Sequence, residues 1–213
     1  QLLALNPNCD ALIVDDNSPD GTGSLADQLS KKRKQVSVLH REAKEGLGKA
    51  YLAGFQWGID RGYEFLIEMD ADGSHRAKDL PKLIAADADL VIGSRWVSGG
   101  STQNWPWSRR LISRTGNRYV RMMLGAKVHD ATAGFRVYRT SLIRRIDLSA
   151  IASHGYSFQV EMTYAAIKLN AKIEEVPIVF VERINGVSKM TTAIVLEALW
   201  LVTKLGFKRV LKS

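Results

Sequence analysis

Short apolar runs alternate with amphipathic stretches through the first half of the chain. Ala11-Leu12-Ile13-Val14 predicts a buried strand, closed by the turn cluster Asp15-Asp16-Asn17-Ser18-Pro19-Asp20-Gly21. Leu25 and Leu29 recur at helical spacing and predict a helix over 22–32, and Val36-Ser37-Val38-Leu39 predicts a second strand. Gly46-Leu47-Gly48-Lys49 leads a predicted helix carrying Tyr51, Leu52, Phe55 and Ile59. A third strand is predicted over 65–69, a helix over 80–86, and a fourth strand at Leu90-Val91-Ile92. Strands that are apolar throughout, alternating with helices, predict a mostly parallel sheet covered by helices.

The second half is less regular. The flexible stretch Gly99-Gly100-Ser101-Thr102 and the pair Trp105-Pro106-Trp107 lead into a basic helix predicted over 108–124. A small-residue loop then leads into Gly134-Phe135-Arg136. A helix over 158–169 has Phe158, Met162, Ala165 and Leu169 as its core stripe, and one last strand covers 173–181. The final predicted helix, 191–213, is apolar except for a thin stripe through Glu197, Lys204 and Lys208, with Arg209 and Lys212 added at its end. No uninterrupted apolar run reaches the ~20 residues that span a bilayer. That helix therefore reads either as an interfacial helix on anionic lipid or as a core helix with a basic tail.

With 213 residues, 46% of them apolar, the chain has material for one sizeable core, and a single domain is expected. The lone Cys9 excludes an internal disulfide and fits a reducing compartment. Charge changes the picture more. Residues 1–94 hold 11 Lys/Arg against 15 Asp/Glu, residues 95–145 hold 11 against one, and residues 146–213 hold eight against six. An acidic first part suits a cation, and a basic middle suits a phosphate-bearing partner or an anionic membrane. Nucleic acid would also accept the basic stretch, but it leaves the acidic part unexplained.

Candidate chemistry centres on Met69-Asp70-Ala71-Asp72-Gly73-Ser74-His75. On an extended segment, residues two apart point the same way, so Asp70 and Asp72 are expected to converge on a divalent cation, Mg²⁺ or Mn²⁺. Mg²⁺ commonly shares its remaining positions with substrate phosphates, which points to a nucleotide. Ligands of parallel sheets collect at the carboxyl ends of strands, where both Asp15-Asp16 and Asp70/Asp72 fall, so one shared crevice is expected.

Six segments in order carry a family resemblance: Val14-Asp15-Asp16-Asn17-Ser18-Pro19-Asp20-Gly21-Thr22, Gly46-Leu47-Gly48-Lys49-Ala50-Tyr51, Met69–His75, Gly93-Ser94-Arg95-Trp96, Asp130-Ala131-Thr132-Ala133-Gly134-Phe135-Arg136 and Glu182-Arg183-Ile184-Asn185-Gly186-Val187-Ser188-Lys189. The chain resembles the family-two glycosyltransferases of the GT-A fold, and among them the polyprenol-phosphate (dolichol-phosphate) mannose synthases. The resemblance implies a Rossmann-like α/β catalytic domain over 1–190 followed by the amphipathic helix from 191 to 213. Nothing before Ala11 matches the strand and Pro-Thr-Tyr-Asn-Glu-like loop with which family members open, so the sequence is expected to lack that element.

The resemblance also implies roles. Asp15, Asp16, Lys49, Asp70, Ala71 and Asp72 would bind the sugar nucleotide, with Asp70 and Asp72 on the metal. Arg95, Arg109, Arg110, Asp130, Gly134, Phe135, Arg136, Arg183 and Lys189 would hold the acceptor phosphate, and Asp72, Arg95 and Arg136 would be catalytic. Gln159 and Glu161 resemble a family pair facing the site, Ser74 lies where some relatives place a metal-contacting Gln, and His75 reads as a loop residue. The implied reaction moves mannose from GDP-mannose to a polyprenyl phosphate with inversion, at the cytoplasmic face of a membrane, with no nucleic acid and with room for a membrane-anchoring protein partner. UDP-glucose as donor, or a non-catalytic sugar-nucleotide-binding scaffold, remain the alternatives.

Overall fold

The computed structural model describes residues 1–151, 156–182 and 192–210. The chain divides into two compact units, Gln1–Tyr63 and Glu64–Ser213. The first opens with a short helix, α1 (Leu2–Leu5), and is otherwise a strand–helix–strand unit. Strands β1 (Ala11–Asp15) and β2 (Val36–His40) pair in parallel, with Ala11 opposite Val36 and Asp15 opposite His40. Their crossover is α2 (Thr22–Lys32), and α3 (Leu47–Asp60) follows β2. Leu25 and Leu29 face outward, whereas Gly23 and Ala26 are buried. A β-carbon on Gly23 would lie 2.6 Å from an Asp15 carboxylate oxygen, so α2 approaches the strand through its small residues.

The second unit begins at β3 (Phe65–Glu68), followed by α4 (Leu80–Ile84), β4 (Leu90–Ser94), β5 (Ser101–Gln103) and α5 (Trp107–Leu124). Then come β6 (Arg136–Arg139), α6 (Thr140–Ile143), α7 (Tyr156–Lys168), β7 (Ile173–Pro177), β8 (Val179–Val181) and α8 (Thr192–Val210). The main sheet has the order β3-β6-β4-β7. β6 is antiparallel to both its neighbours, β3 and β4, while β4 and β7 are parallel. A second small sheet pairs β5 with β8 in parallel. The core lies under β4, whose five residues are all buried.

The single strand expected over 173–181 is two strands in two sheets. Pro177 brings no N–H to a ladder, and Ile178 becomes the pivot. Its N–H donates to the Ser94 carbonyl (3.0 Å), and its carbonyl accepts from the Ser101 N–H (3.0 Å). The pivot thus stitches the end of β4 to the start of β5, and the intervening residues fold back tightly. A β-carbon on Gly100 would stand 2.6 Å from the Ser94 carbonyl oxygen and 2.9 Å from the Arg95 carbonyl carbon. Backbone at that distance cannot yield as a side chain would. Gly100→Ala is therefore expected to cost roughly 1–3 kcal/mol of stability, read as a lower midpoint in urea denaturation with an unchanged slope.

Candidate active site

In the first unit, Asp15 ends β1 and is buried, and a hydrogen bond from Ser18 holds its carboxyl below the ordinary range. His40, opposite it in the ladder, lies 3.5 Å away through Nδ1 and 2.9 Å from Asp27 through Nε2. The Asp27 carboxylate chiefly, with help from Asp15, raises the His40 pKa. Asp16 is more open and pairs with Arg41 at 2.6 Å. Arg41 also binds Glu45 at 2.7 Å, and Glu45 in turn binds Lys49 at 2.7 Å. Two of the candidate nucleotide contacts, Asp16 and Lys49, thus belong to one chain of alternating charge. Arg41 and Glu45 are the members that sequence reasoning missed.

In the second unit, β3 ends at Glu68, one residue earlier than expected, so Asp70, Ala71 and Asp72 lie in a loop. Two-residue alternation therefore does not set their directions; hydrogen bonds do. The Asp70 N–H donates to His75 Nδ1 (3.1 Å), and the Ser74 N–H donates to Asp72 Oδ1 (3.0 Å). His75 is buried, its ring stacked on Phe135 at 5.1 Å and set edge-on to Phe180 at 5.3 Å. Burial pushes its pKa down, which keeps Nδ1 available as an acceptor. His75 is thus a loop residue, as expected, that supports the Asp70 backbone. Its partners are remote in sequence, so no local pattern announces it.

The basic segment resolves into different fates. Arg95 is 6% exposed and is gripped by Asp130. Its N–H, Nε and a terminal nitrogen donate to the two carboxylate oxygens at 2.9, 2.7 and 2.6 Å, and Thr132 Oγ1 accepts at 3.0 Å. Asp130 is itself positioned by Glu175, whose carboxylate accepts from the Asp130 N–H (2.9 Å) and the His129 N–H (2.7 Å). Arg136 is fully buried. It donates to the carbonyls of Ala133 (2.7 Å), Ala131 (2.7 Å) and Gln159 (3.0 Å), and to the Thr163 hydroxyl (3.0 Å). Arg136 therefore does not offer its fork to a phosphate, which corrects the expectation of a catalytic or acceptor-binding role. It closes the loop from Asp130 to Phe135 by satisfying that loop's carbonyls.

Of the adjacent pair, Arg109 turns inward: it lies 4.0 Å over the Trp105 ring and pairs with Glu182. Arg110 stays exposed and donates to the Thr102 carbonyl at 3.1 Å. Arg114, Arg118 and Arg121 line an open groove on α5 with Trp96 and His129. Arg183 and Lys189 lie outside the described residues. Beside Arg95 and Thr132, a cavity of about 130 Å³ runs between α5 and α8, walled by Ile112, Val120, Val160 and Leu199 among others. Its lining is almost wholly apolar, with the guanidinium at one border.

Beneath Asp70 lies a buried polar cluster. Glu68, facing Arg136 across the ladder, accepts from Gln159 Nε2 at 2.9 Å. Burial pushes the Glu68 carboxyl up to about 7, against the opposing pull of Arg136. Among the described residues, no group of three or more His, Cys, Asp or Glu is placed to hold a metal ion. Two loop carboxylates suit a cation that keeps its waters and shares substrate phosphates, not an all-protein cage.

A family profile described as "Glycosyl transferase family 2" matches residues 1–147. The chain is 55% identical over 202 residues to the undecaprenyl-phosphate mannosyltransferase of Micrococcus luteus, covering 94% of this chain and 83% of that protein. It is 51% identical over 206 residues to the polyprenol monophosphomannose synthase of Mycolicibacterium smegmatis, covering 95% and 78%. Among solved structures, glucosyl-3-phosphoglycerate synthase from Mycobacterium tuberculosis, in complex with Mg²⁺ and UDP, superposes with a TM-score of 0.67 at 14% identity, over 97% of this chain and 73% of that one. Mannosyl-3-phosphoglycerate synthase from Rubrobacter xylanophilus gives 0.63 at 18% identity, over 98% and 67%. At such identities these structures speak for the shared GT-A fold alone.

The Glu68 carboxyl makes stability depend on pH in a stated direction. Below about pH 4.5 both folded and unfolded chains carry its proton; between 4.5 and about 7 only the folded chain does, so stability falls as pH rises. Glu68→Gln removes that penalty. It is expected to raise stability by roughly 3 kcal/mol at about pH 8 and by little at about pH 4, measured by urea denaturation at both.

Proposed function

We propose, from the premise that this chain belongs to glycosyl transferase family 2, that it transfers mannose from GDP-mannose to a polyprenyl phosphate. The structural observation that carries the reading is the almost wholly apolar cavity between α5 and α8, which suits an isoprenoid chain. The two mannosyltransferases above 50% identity support the same sugar and the same acceptor class.

Asp70 and Asp72 would hold Mg²⁺ or Mn²⁺, which supplies positive charge to the departing nucleoside diphosphate. The Asp70 N–H on His75 fixes that residue's backbone, and the Ser74 N–H holds the Asp72 carboxylate, both without help from the substrate. Asp15 and Asp16 are the proposed contacts for base or ribose, with Lys49 and the Ala71 main chain beside the nucleotide. The acceptor phosphate is already an anionic nucleophile at neutral pH, so no strong general base is required. What it requires is a fixed place in line with the anomeric carbon. Arg109 and Arg110 would hold it, with Arg183 and Lys189, while Asp130, Gly134 and Phe135 shape the loop beside it. In-line attack inverts the anomeric centre and gives a β-linked mannosyl phosphate from an α-linked donor.

No helix among the described residues is long and apolar enough to cross a membrane. α8 nevertheless exposes Leu196, Trp200 and Phe207 beside the exposed Lys204 and Lys208. We propose that this face rests on an anionic bilayer, at the cytoplasmic side where nucleotide sugars are available.

Labelled mannose is expected to pass from GDP-mannose to polyprenyl phosphate when Mg²⁺ or Mn²⁺ is present, and not in EDTA or with UDP-glucose as donor. Asp72→Ala is expected to lower kcat/KM by roughly a hundredfold or more. Transfer that persists in full in that variant would sink the metal role. Separately, the protein is expected to co-sediment with anionic but not zwitterionic vesicles, and Trp200→Glu should release it while leaving its thermal midpoint unchanged.

A further inference from the structure

The two ring nitrogens of His40 face carboxylates from two different elements of the first unit. His40 closes β2 directly opposite Asp15 in the parallel ladder, and its Nδ1 lies 3.5 Å from Asp15 Oδ2. Its Nε2 lies 2.9 Å from Asp27 on α2. The helix comes this close because Gly23 has no side chain: a β-carbon there would stand 2.6 Å from Asp15 Oδ2 and 3.4 Å from His40 Cε1. Asp15 supplies the second observation. It is 5% exposed, and its Oδ1 is buried with no hydrogen-bond partner. An enclosed carboxylate with one idle oxygen depends heavily on the groups that do reach it. Ser18 reaches it from within the turn, and the His40 ring reaches it from the neighbouring strand.

Such a bridge needs a proton on both ring nitrogens. An imidazolium can donate to Asp27 and Asp15 at once, whereas a neutral ring has one N–H for two carboxylates. Asp27, at the shorter distance, then keeps the donor, and the Nδ1 lone pair is left facing the Asp15 carboxylate. Resting on the reading that the Asp15-Asp16 turn meets the nucleotide, we propose that His40 is a positioning residue for that turn. Its imidazolium spans Asp27 and Asp15, steadies the Asp15 carboxylate together with Ser18, and so sets the backbone from which Asp16 projects. Among the described residues, the charged groups facing the ring are Asp15 from β1 and Asp27 from α2. Arg41, the next residue along, gives its guanidinium to Asp16 and Glu45. Asp27 first, and Asp15 after it, raise the His40 pKa above the ordinary histidine value. The bridge is therefore complete on the acid side of that raised value and is lost as pH rises through it, and nucleotide affinity falls with it.

GDP-mannose is the suitable probe, because its diphosphate is esterified at both ends and lacks the ionisation near pH ~6 of a terminal phosphate. Its dissociation constant, measured by titration calorimetry with Mg²⁺ and no acceptor, is expected to rise roughly five- to tenfold from about pH 6 to about pH 8.5. His40→Gln removes the titrating ring and is expected to bind with the weaker constant at both pH values. His40→Asn sets an amide nitrogen where Nδ1 stood, and is expected to recover much of the affinity and hold it constant with pH. A role in folding alone would lower the thermal midpoint of both variants without one residue abolishing a pH profile. A wild-type constant that stays flat, or a slope that survives in both variants, would overturn the positioning role and leave nucleotide binding intact. Asp16→Ala is expected to weaken GDP-mannose binding at both pH values. Unchanged binding in that variant, or none in the wild type, would overturn the nucleotide reading of the turn, and this inference with it.

Discussion

The buried pair of Arg95 and Asp130 is the interaction on which the second unit turns. Each charge alone would be ruinous in that position, and together they are tolerable only because every contact is a short, directed hydrogen bond. The pair ties the end of β4 to the loop before β6, and Asn117 from α5 reaches the same carboxylate from 3.4 Å. Glu175 on β7 secures that loop's backbone from the other side. Strand, loop and helix are thus located by one carboxylate. Gly134, Phe135 and Arg136 inherit their positions from it, and through the Phe135–His75 stack so does the backbone of Asp70.

The resulting site separates support from contact. Arg136, Asp130, His75 and Glu68 spend their polar groups holding backbone or one another. Asp72 and Arg110 stay exposed at the surface. Within the basic stretch 95–145, Arg95 is neutralised by Asp130 and Arg136 is enclosed, so eleven bases against one acid overstate the charge that the segment leaves free. The lone acid, Asp130, was the informative residue: in so basic a stretch an isolated carboxylate is a partner in search of its guanidinium.

Much of the fold could be read from residue order. The α2 helix and the strands β1 through β4 follow local apolar runs bounded by turn residues, and the structure matches them to within a residue or two. What escaped is what local pattern cannot carry. β6 begins and ends in arginine, and its place between β3 and β4 depends on pairing across tens of residues. The strand read as continuous over 173–181 switches sheets at Ile178, a choice made by its partners β4 and β5. The identity of the candidate site residues was legible because the resemblance supplied it. Their roles were not, since composition counts charges without saying which neighbour has already claimed them. Arg136 is the case where that distinction changed the reading, and His75, read as a loop residue, proves to be one that also supports the Asp70 backbone.

The sheet order has a consequence for how the chain is made. β3 and β4 are synthesised early, yet each pairs with β6 and not with the other. While a ribosome is still extending the chain short of Arg139, two apolar strands wait without their common neighbour. Pairing across such sequence separations is slow and leaves strand edges open to unwanted partners. For this unit the vulnerable interval lies in biosynthesis, and a holding chaperone or a swift downstream translation rate is of most use just before β6 emerges.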